Sequence, residues 1–184
     1  MSPPMALRTE RLLLRPLTLP LARAIVAGER GEDWAAGFPQ EGDVTVASML
    51  VAGAQGSSAP PHHAAYDVPH DEEPPLWGAW TITHEGVLVG TAGFHGPPVA
   101  DEVEIGYGLA GELQGRGLMG EAVAALLELA ASLGVRSAVA HVAPGNEPSL
   151  RLLRRAGFEP AGREPSSGEL VLRRPLETRG PPRR

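Results

Sequence analysis

The clearest alternation of apolar and polar positions lies between residues 118 and 133, where apolar side chains recur at helical spacing. One face carries Leu118, Ala122, Val123, Leu126, Leu127, Ala130 and Leu133. The other face carries Glu121, Ala125, Glu128 and Ser132. Gly134 follows where a glycine commonly ends a helix. The pattern predicts a long amphipathic helix with its apolar face in the core.

Strand patterns precede and follow this helix. Segments 76–84 and 87–94 flank Glu85-Gly86, a two-residue hairpin signal, and segment 101–109 alternates as a further strand. Segment 136–142 has the Ala and Val content of a short buried strand. Segments 158–161 and 168–173 supply the last two strands.

The N-terminal third predicts one strand and two helices. An edge strand is expected over 6–17, ending near Pro16, followed by a short helix over 19–28. Asp43 is expected as the N-cap of a helix over 44–54. Segment 53–75, rich in Gly, Ser, Pro and His and without periodicity, predicts a long loop.

The last predicted helix covers 146–156, with Leu150 and Leu153 facing inward and Gly157 after its end. The element order is therefore β–α–α–β–β–β–α–β–α–β–β, a mixed α/β protein without internal repeats. A chain of 184 residues fits one domain, which we expect over 1–176 with a frayed tail over 177–184. The longest apolar stretches are too short or are interrupted by Glu, which predicts a cytoplasmic protein with no membrane partner.

Composition removes several classes of function. The net charge is −6, which argues against nucleic acid as the main partner, because phosphate binding needs clustered basic residues. The chain has no cysteine, which excludes disulfides, a thiolate nucleophile and cysteine-ligated metals. His62, His63 and His70 lack the spacing of metal ligands, so no metal is expected. All 16 basic residues are Arg, and Asn146 is the single Asn.

Residues 115–120 read G-x-G-x-x-G at the start of the long helix. Glycines there let backbone N–H groups approach an anion, and the helix dipole adds to the attraction, so a phosphate site is expected. A dinucleotide fold would also need an acidic residue about twenty positions on, at the end of the next strand. Segment 136–142 is followed by no acid before Glu147, and the absence of lysine excludes the lysine-bearing phosphate loop.

Three motifs follow one another along the chain. The first is TERLLLRPL at 9–17; the second is EIGY at 104–107, followed by Glu112 and by QGRGLMGEA at 114–122. The third is Asn146-x-x-Ser149, followed by RAGF at 155–158. Together they resemble the GNAT family of N-acetyltransferases in its ribosomal-protein N-terminal acetyltransferase (RimJ/RimL-like) branch. The resemblance covers about 7–172.

The resemblance implies the GNAT fold, with helices flanking a central, mostly antiparallel sheet that is splayed between its fourth and fifth strands, 101–109 and 136–142. It implies acetyl-CoA as co-substrate, with the pyrophosphate on the amides of the glycine loop and the pantetheine arm along the end of the fourth strand. The implied CoA contacts are Tyr107, Gly108, Leu109, Ala110, Gln114, Gly115, Arg116, Gly117, Leu118, Met119, Gly120 and Asn146. The family pattern expects a small residue at Met119, whose side chain must therefore point away from the phosphates.

Amine acylation by a thioester needs a base near the amine and a proton source near the sulfur. Glu104, beside the expected splay, is the candidate base, acting through water. Ser149, three residues after Asn146, is the candidate acid. Many relatives carry a tyrosine seven residues after this Asn, and this chain departs from that pattern with Leu153. The alternatives stay open: Glu104 as a solvated strand residue, and Asn146 and Ser149 as helix-capping residues.

The acceptor is expected to be a primary amine, either a protein N-terminus or a small amine. In relatives the acceptor site is built by the region that is 19–75 here, and its surplus of acidic residues favours a cationic acceptor. A homodimer is left open as a further partnership. The alternative function is a non-catalytic module that binds or senses acyl-CoA.

Overall fold

The computed structural model describes residues 6–54 and 76–177. The strands are β1 Leu7–Arg8, β2 Leu12–Pro16, β3 Ala79–His84, β4 Val87–Phe94, β5 Glu102–Leu109, β6 Ser137–Val142, β7 Glu159–Arg163 and β8 Leu170–Pro175. The helices are α1 Leu19–Val26, α2 Glu41–Ala54, α3 Leu118–Ser132 and α4 Glu147–Arg155, with a 3₁₀ turn at Gly111–Leu113. The order of elements matches the prediction from α1 onward, whereas two strands stand where one was predicted before α1. Of the predicted loop over 53–75, residues 53–54 belong to α2 and the rest lie outside the described residues. The predicted tail over 177–184 also lies outside them, apart from its first residue.

Strong local signals account for the elements that match. Glu85 and Gly86 both have positive φ, 50° and 82°, as a tight two-residue hairpin turn between β3 and β4 requires. Gly134 has φ +91° immediately after the C-cap of α3. Asn146 caps α4 and accepts a hydrogen bond from the Ser149 amide.

Two predictions in the N-terminal third are wrong. The single edge strand over 6–17 is instead a hairpin, because the chain reverses at Thr9, whose amide donates to the Leu12 carbonyl and whose hydroxyl accepts from the Leu12 amide. Asp43 is not the N-cap of α2. The helix begins at Glu41, and the Asp43 carboxylate reaches back from the first turn to accept from the Gln40 amide at 2.8 Å.

The eight strands form one sheet in the order β1-β2-β3-β4-β5-β6-β8-β7. Neighbouring strands are antiparallel except β5 and β6, which run parallel. Their pairing covers three residue pairs, from Glu102 with Ser137 to Glu104 with Val139. The registered pairs stop there although β5 continues to Leu109 and β6 to Val142, so the sheet opens where the family resemblance predicts a splay.

Two helices pack against strands on the β5 side of this opening. Helix α3 packs on β2, β4 and β5, and α2 packs on α1 and on β5. Trp80, Phe38, Leu14 and Leu126 are fully buried in the core between them. In the described part of the chain, none of the helices has the length and apolar character needed to cross a membrane.

Candidate active site

A large cleft of about 1180 Å³ lies where β5 and β6 part. Its walls come from the end of β5, the start of α3 and one side of α4. The predicted CoA contacts that line it are Tyr107, Gly108, Leu109, Gln114, Gly115, Gly117, Leu118, Met119, Gly120 and Asn146. Ala110 and Arg116 lie outside the lining. Ala110 is fully buried with its amide donating to the Val89 carbonyl, and the carbonyl of Arg116 accepts from Arg11.

The glycine loop is shaped by two left-handed residues. Gly115 and Gly117 have φ of +77° and +79°, a conformation that residues with a Cβ rarely adopt. Gly117 is the N-cap of α3, so the amides of the first helical turn follow it and have no partner within the helix. Met119 is 6% exposed and belongs to the core cluster, and it also contributes to the lining of the cleft.

Arg11 lies in the turn between β1 and β2 and contacts both the glycine loop and α3. These contacts were not predicted from the sequence. The Arg11 guanidinium binds Glu121 of α3 at 2.7 Å and donates to the Arg116 carbonyl at 3.0 Å. The Glu121 carboxylate also accepts from the Thr9 hydroxyl and from the Arg11 amide. The TERLLLRPL motif contains both Thr9 and Arg11, so the motif that identified the first strand also supplies these contacts.

These contacts make fold stability depend on pH. Burial raises the pKa of Glu121, but the hydrogen bonds from Thr9 and Arg11 and the charge of Arg11 outweigh it, so the pKa lies below its ordinary value of 4.5. The folded state therefore holds the charged form more strongly than the unfolded state does. This stabilisation is present above pH 4.5 and is lost as the pH falls through the lower folded pKa.

We expect Glu121→Gln to lower the free energy of unfolding at pH 7 by about 1 kcal/mol, a value kept small because Arg11 is solvent-exposed. The loss should shrink as the pH falls through the lowered pKa of Glu121, because the wild-type carboxylate is then also protonated. Urea unfolding at several pH values measures both effects. Glu128→Gln, an exposed position on the same helix, is the control, and an equal loss in that variant would remove the role assigned to Arg11.

Three arginines line the far part of the large cleft: Arg151, Arg155 and Arg174. Arg151 and Arg155 project from α4 and are exposed, and Arg174 on β8 donates to the Ala156 carbonyl at 2.6 Å. In the sequence the α4 arginines look like an ordinary solvated helix face. Their convergence with β8 depends on the tertiary fold, and it gives the cleft positive charge for a polyanionic ligand.

A smaller cleft of about 330 Å³ adjoins the first. The two clefts share Tyr107, Gly108, Asn146 and Ser149. The smaller one is also lined by side chains from α2, from the end of β4 and from β6, among them Met49, Phe94, His95 and His141. A ligand in the large cleft and a second ligand in the small one would therefore meet beside Tyr107.

Glu104 is held between two histidines at the edge of the small cleft. Its Oε1 lies 2.8 Å from Nδ1 of His95 and 3.4 Å from Nδ1 of His141. All three side chains are partly buried, with 21% of Glu104 exposed and 28% and 30% of the histidines. The two histidines line the small cleft, and Glu104 is not in that lining.

A hydroxyl pair spans the junction of the two clefts. The Tyr107 hydroxyl on β5 and the Ser149 hydroxyl on α4 are 2.8 Å apart. Burial raises the pKa of Tyr107 above its ordinary value of 10.0, although the bond to Ser149 acts in the opposite direction. Tyr107 therefore keeps its proton at neutral pH and can donate it. Leu153, where relatives carry a tyrosine, is fully buried and lines the small cleft.

A buried carboxylate joins α2 to β4 beside the clefts. Asp43 is fully buried and accepts from the Thr91 hydroxyl at 2.6 Å. Burial raises its pKa above the ordinary value of 3.8, although the bonds from Thr91 and the Gln40 amide lower it. Its Oδ1 would lie 3.3 Å from a Cβ at Gly108, so glycine there lets α2 approach the strand closely. The bond of Asp43 to Thr91 thus anchors α2 to β4, next to Gly108 on the part of β5 that borders both clefts.

Within residues 6–54 and 76–177, no group of three or more His, Asp or Glu side chains is arranged to hold a metal ion, the trio of His95, Glu104 and His141 included. His62, His63 and His70 lie outside the described residues.

Comparison with known proteins gives a consistent picture. Residues 11–159 match the model of the acetyltransferase (GNAT) domain, and no curated protein matches the sequence. An acetyltransferase from Agrobacterium tumefaciens is 28% identical with a TM-score of 0.59, covering 95% of each chain. A GNAT-family acetyltransferase from Bordetella pertussis is 28% identical with a TM-score of 0.61, covering 93% of this chain and 99% of its own.

The fold is also similar to that of RimL, a ribosomal L7/L12 alpha-N-protein acetyltransferase solved in complex with coenzyme A. The identity is 18% and the TM-score 0.63, over 93% of this chain and 97% of the other.

Proposed function

Because this chain belongs to the GNAT family of acetyltransferases, we propose that it transfers an acetyl group from acetyl-CoA to a primary amine by direct attack on the thioester. The observation that carries the proposal is the cleft at the β5–β6 opening, which is lined by ten of the residues predicted to contact CoA. The adjoining small cleft supplies a place for the amine beside the same opening.

The cofactor would lie in the large cleft in an extended form. The pyrophosphate would rest on the first amides of α3, after Gly117, where the helix dipole favours an anion. The pantetheine arm would run along β5 at Tyr107 to Leu109, the edge that is not registered with β6. The arginines of α4 and β8 would face the phosphorylated nucleotide end.

The reaction forms one bond and breaks one. The amine nitrogen attacks the thioester carbon, the C–N bond forms, and the C–S bond then breaks to release the CoA thiolate. The amine loses a proton to a base beside the small cleft, for which Glu104 is the candidate from the sequence, and the thiolate gains one. A chain without cysteine cannot form an acyl-cysteine intermediate, which favours direct transfer.

Ser149 is proposed to supply the proton to the thiolate. The contact with Tyr107 supports this role, because a protonated tyrosine can donate to the serine oxygen while the serine hydrogen is directed at the sulfur. The pair would take the place of the tyrosine that relatives carry at the position of Leu153. Asn146, which orders the first turn of α4, would hold Ser149 in place.

The acceptor is proposed to be a cationic amine, either a protein N-terminus or a small amine. RimL, whose fold this chain shares, is described as acting on the α-amine of a ribosomal protein. Glu29, Glu32, Asp33 and Glu41 are exposed acids on the segment that joins α1 to α2 and on the start of α2. They would attract a cationic acceptor towards this side of the fold.

The test is thiol release from acetyl-CoA with a panel of N-terminal peptides, polyamines and amino compounds, with Ser149→Ala run alongside the wild type. Amine-dependent release by the wild type, reduced in Ser149→Ala, is the expected result. The alternative, a module that only binds acyl-CoA, predicts a rise in melting temperature with CoA and no transfer to any acceptor class.

The arginine cluster gives a further prediction for cofactor binding. Arg151→Ala together with Arg155→Ala should raise KM for acetyl-CoA about three- to tenfold, because two partly screened charges near phosphate are lost. The kcat should stay close to wild type. Acetyl-dephospho-CoA, which lacks one phosphate, should discriminate less between wild type and variant than acetyl-CoA does.

Arg8→Ala together with Arg23→Ala is the matched control for the change in net charge, since both arginines are exposed and lie outside both clefts. An equal rise of KM in this control would show a general effect of charge. That result would contradict a specific contact with the nucleotide end.

A further inference from the structure

We infer that His95, oriented by Glu104, is the group that takes the proton from the acceptor amine. The inference rests on the proposed acetyl transfer and names its base. It departs from the sequence-based expectation, in which Glu104 acts through water. Three features of the contact between β4, β5 and β6 carry it.

The first feature is the hydrogen bond between His95 and Glu104. Nδ1 of His95 lies 2.8 Å from the carboxylate oxygen Oε1. A carboxylate oxygen accepts and does not donate, so the hydrogen of this bond sits on Nδ1. In the neutral ring Nε2 then carries the lone pair, which is the tautomer that a base needs.

The second feature is the position of Nε2. His95 directly follows β4, and its amide donates to the Glu104 carbonyl at 3.0 Å, which fixes the backbone beside β5. A Cβ added at Gly106 would collide with Nε2 of His95, so the glycine is what lets this edge of the ring lie across β5. Gly106 lines the small cleft and precedes Tyr107, at which the two clefts meet.

The third feature is the position of Glu104 relative to the histidines. Oε1 contacts Nδ1 of both His95 and His141, and both rings line the small cleft while Glu104 is outside its lining. An amine in that cleft therefore meets imidazole first. Of the two rings, His95 makes the shorter contact with the carboxylate, 2.8 Å against 3.4 Å.

The cationic acceptor first releases one proton to water, because only the neutral amine can attack, and the remaining proton balance is complete with these groups. As the amine nitrogen bonds to the thioester carbon, its proton passes to Nε2 and the ring becomes an imidazolium. Glu104 from β5 stabilises that charge, and His141 from β6 faces the same carboxylate. The C–S bond breaks, the thiolate takes a proton from Ser149, and the imidazolium returns its proton to water, from which Ser149 is reprotonated.

The first test does not depend on activity. Long-range ¹⁵N–¹H correlation spectra of the ¹⁵N-histidine-labelled protein, assigned with His95→Asn, report which ring nitrogen carries hydrogen. Hydrogen on Nδ1 of His95 is expected. Hydrogen on Nε2 would overturn the inference while leaving acetyl transfer as the proposed function.

The second test separates a base from a structural side chain. His95→Asn keeps a donor near the position of Nδ1 and so can retain the bond to Glu104, but it has no basic nitrogen. We expect kcat to fall about 10²-fold or more, with unchanged KM for acetyl-CoA and unchanged melting temperature. His95→Ala should lose similar activity and recover part of it with added imidazole, whereas His141→Ala should gain nothing from imidazole.

Two results would overturn the inference that His95 is the base. Wild-type kcat in both His95 variants, with loss only in Glu104→Gln, would assign the base to Glu104 itself and overturn the inference, leaving the proposed function intact. A wild-type protein that binds CoA but acetylates no amine would overturn the proposed function and the inference together.

Discussion

Glu104→Gln lowers kcat for acetyl transfer by about 10²- to 10³-fold, the range expected when one member of an acid–base pair is lost. The glutamine keeps an oxygen that can accept from Nδ1 of His95, so the ring can hold its place. It carries no negative charge, so an imidazolium formed at His95 loses its counter-ion. The rise in melting temperature caused by CoA should be the same in variant and wild type.

Glu102→Gln is the matched control for this experiment. Glu102 lies two residues earlier on β5 and is also engaged, accepting from Arg173 at 2.9 Å and from Ser137 at 2.9 Å. It lies outside both clefts, so its variant should keep wild-type kcat even if stability changes slightly. If Glu104→Gln retained more than about a tenth of the wild-type kcat, Glu104 would be an ordinary strand residue.

Gly117→Ala raises KM for acetyl-CoA about 10-fold or more. Alanine disfavours the left-handed backbone conformation of Gly117, so the loop would relax to a different conformation. The amides at the start of α3 would then no longer point towards the pyrophosphate. One charge-assisted hydrogen bond lost corresponds to roughly 1.5–3 kcal/mol, a factor of about 10 to 100. The backbone strain itself should cost about 1–2 kcal/mol of stability.

Gly134→Ala separates these two effects. Gly134 has φ +91° at the other end of the same helix, and a Cβ there would meet nothing within 4 Å. Its variant should lose about as much melting temperature as Gly117→Ala, because both place alanine in a left-handed conformation. Its KM for acetyl-CoA should be that of the wild type. Steady-state kinetics and thermal unfolding of both variants measure the difference.

The features that the sequence predicts well are those encoded by neighbouring residues. The helix at 118–133, the Glu85-Gly86 hairpin and the glycine loop each depend on residues a few positions apart. The reversal at Thr9 was missed because a threonine side chain closes that turn in place of a Gly or Pro signal. Asp43 was predicted as the N-cap but is the third residue of α2. An N-cap side chain accepts from an amide that follows it in the sequence, whereas Asp43 accepts from the Gln40 amide that precedes it.

The residues of the candidate site that the sequence names are likewise those that stand in short motifs. Glu104, Ser149 and the glycine loop stand in motifs, so the resemblance names them. The contact of Tyr107 with Ser149 joins residues 42 apart, and that of Arg11 with Glu121 joins residues 110 apart. No periodicity reports such pairs. They form only in the folded chain, where α4 lies beside β5 and α3 lies beside the turn between β1 and β2.

The three-residue join between β5 and β6 has a mechanical consequence. Strands β1 to β5 and strands β6 to β8 each form an antiparallel unit, and only the pairs from Glu102 with Ser137 to Glu104 with Val139 connect them within the sheet. Partial unfolding should separate the chain along this seam before either unit melts. A molecule bound between the two units would contact both and stabilise their association. Cofactor binding should therefore slow amide hydrogen exchange in β6, on the far side of the opening, as well as in α3.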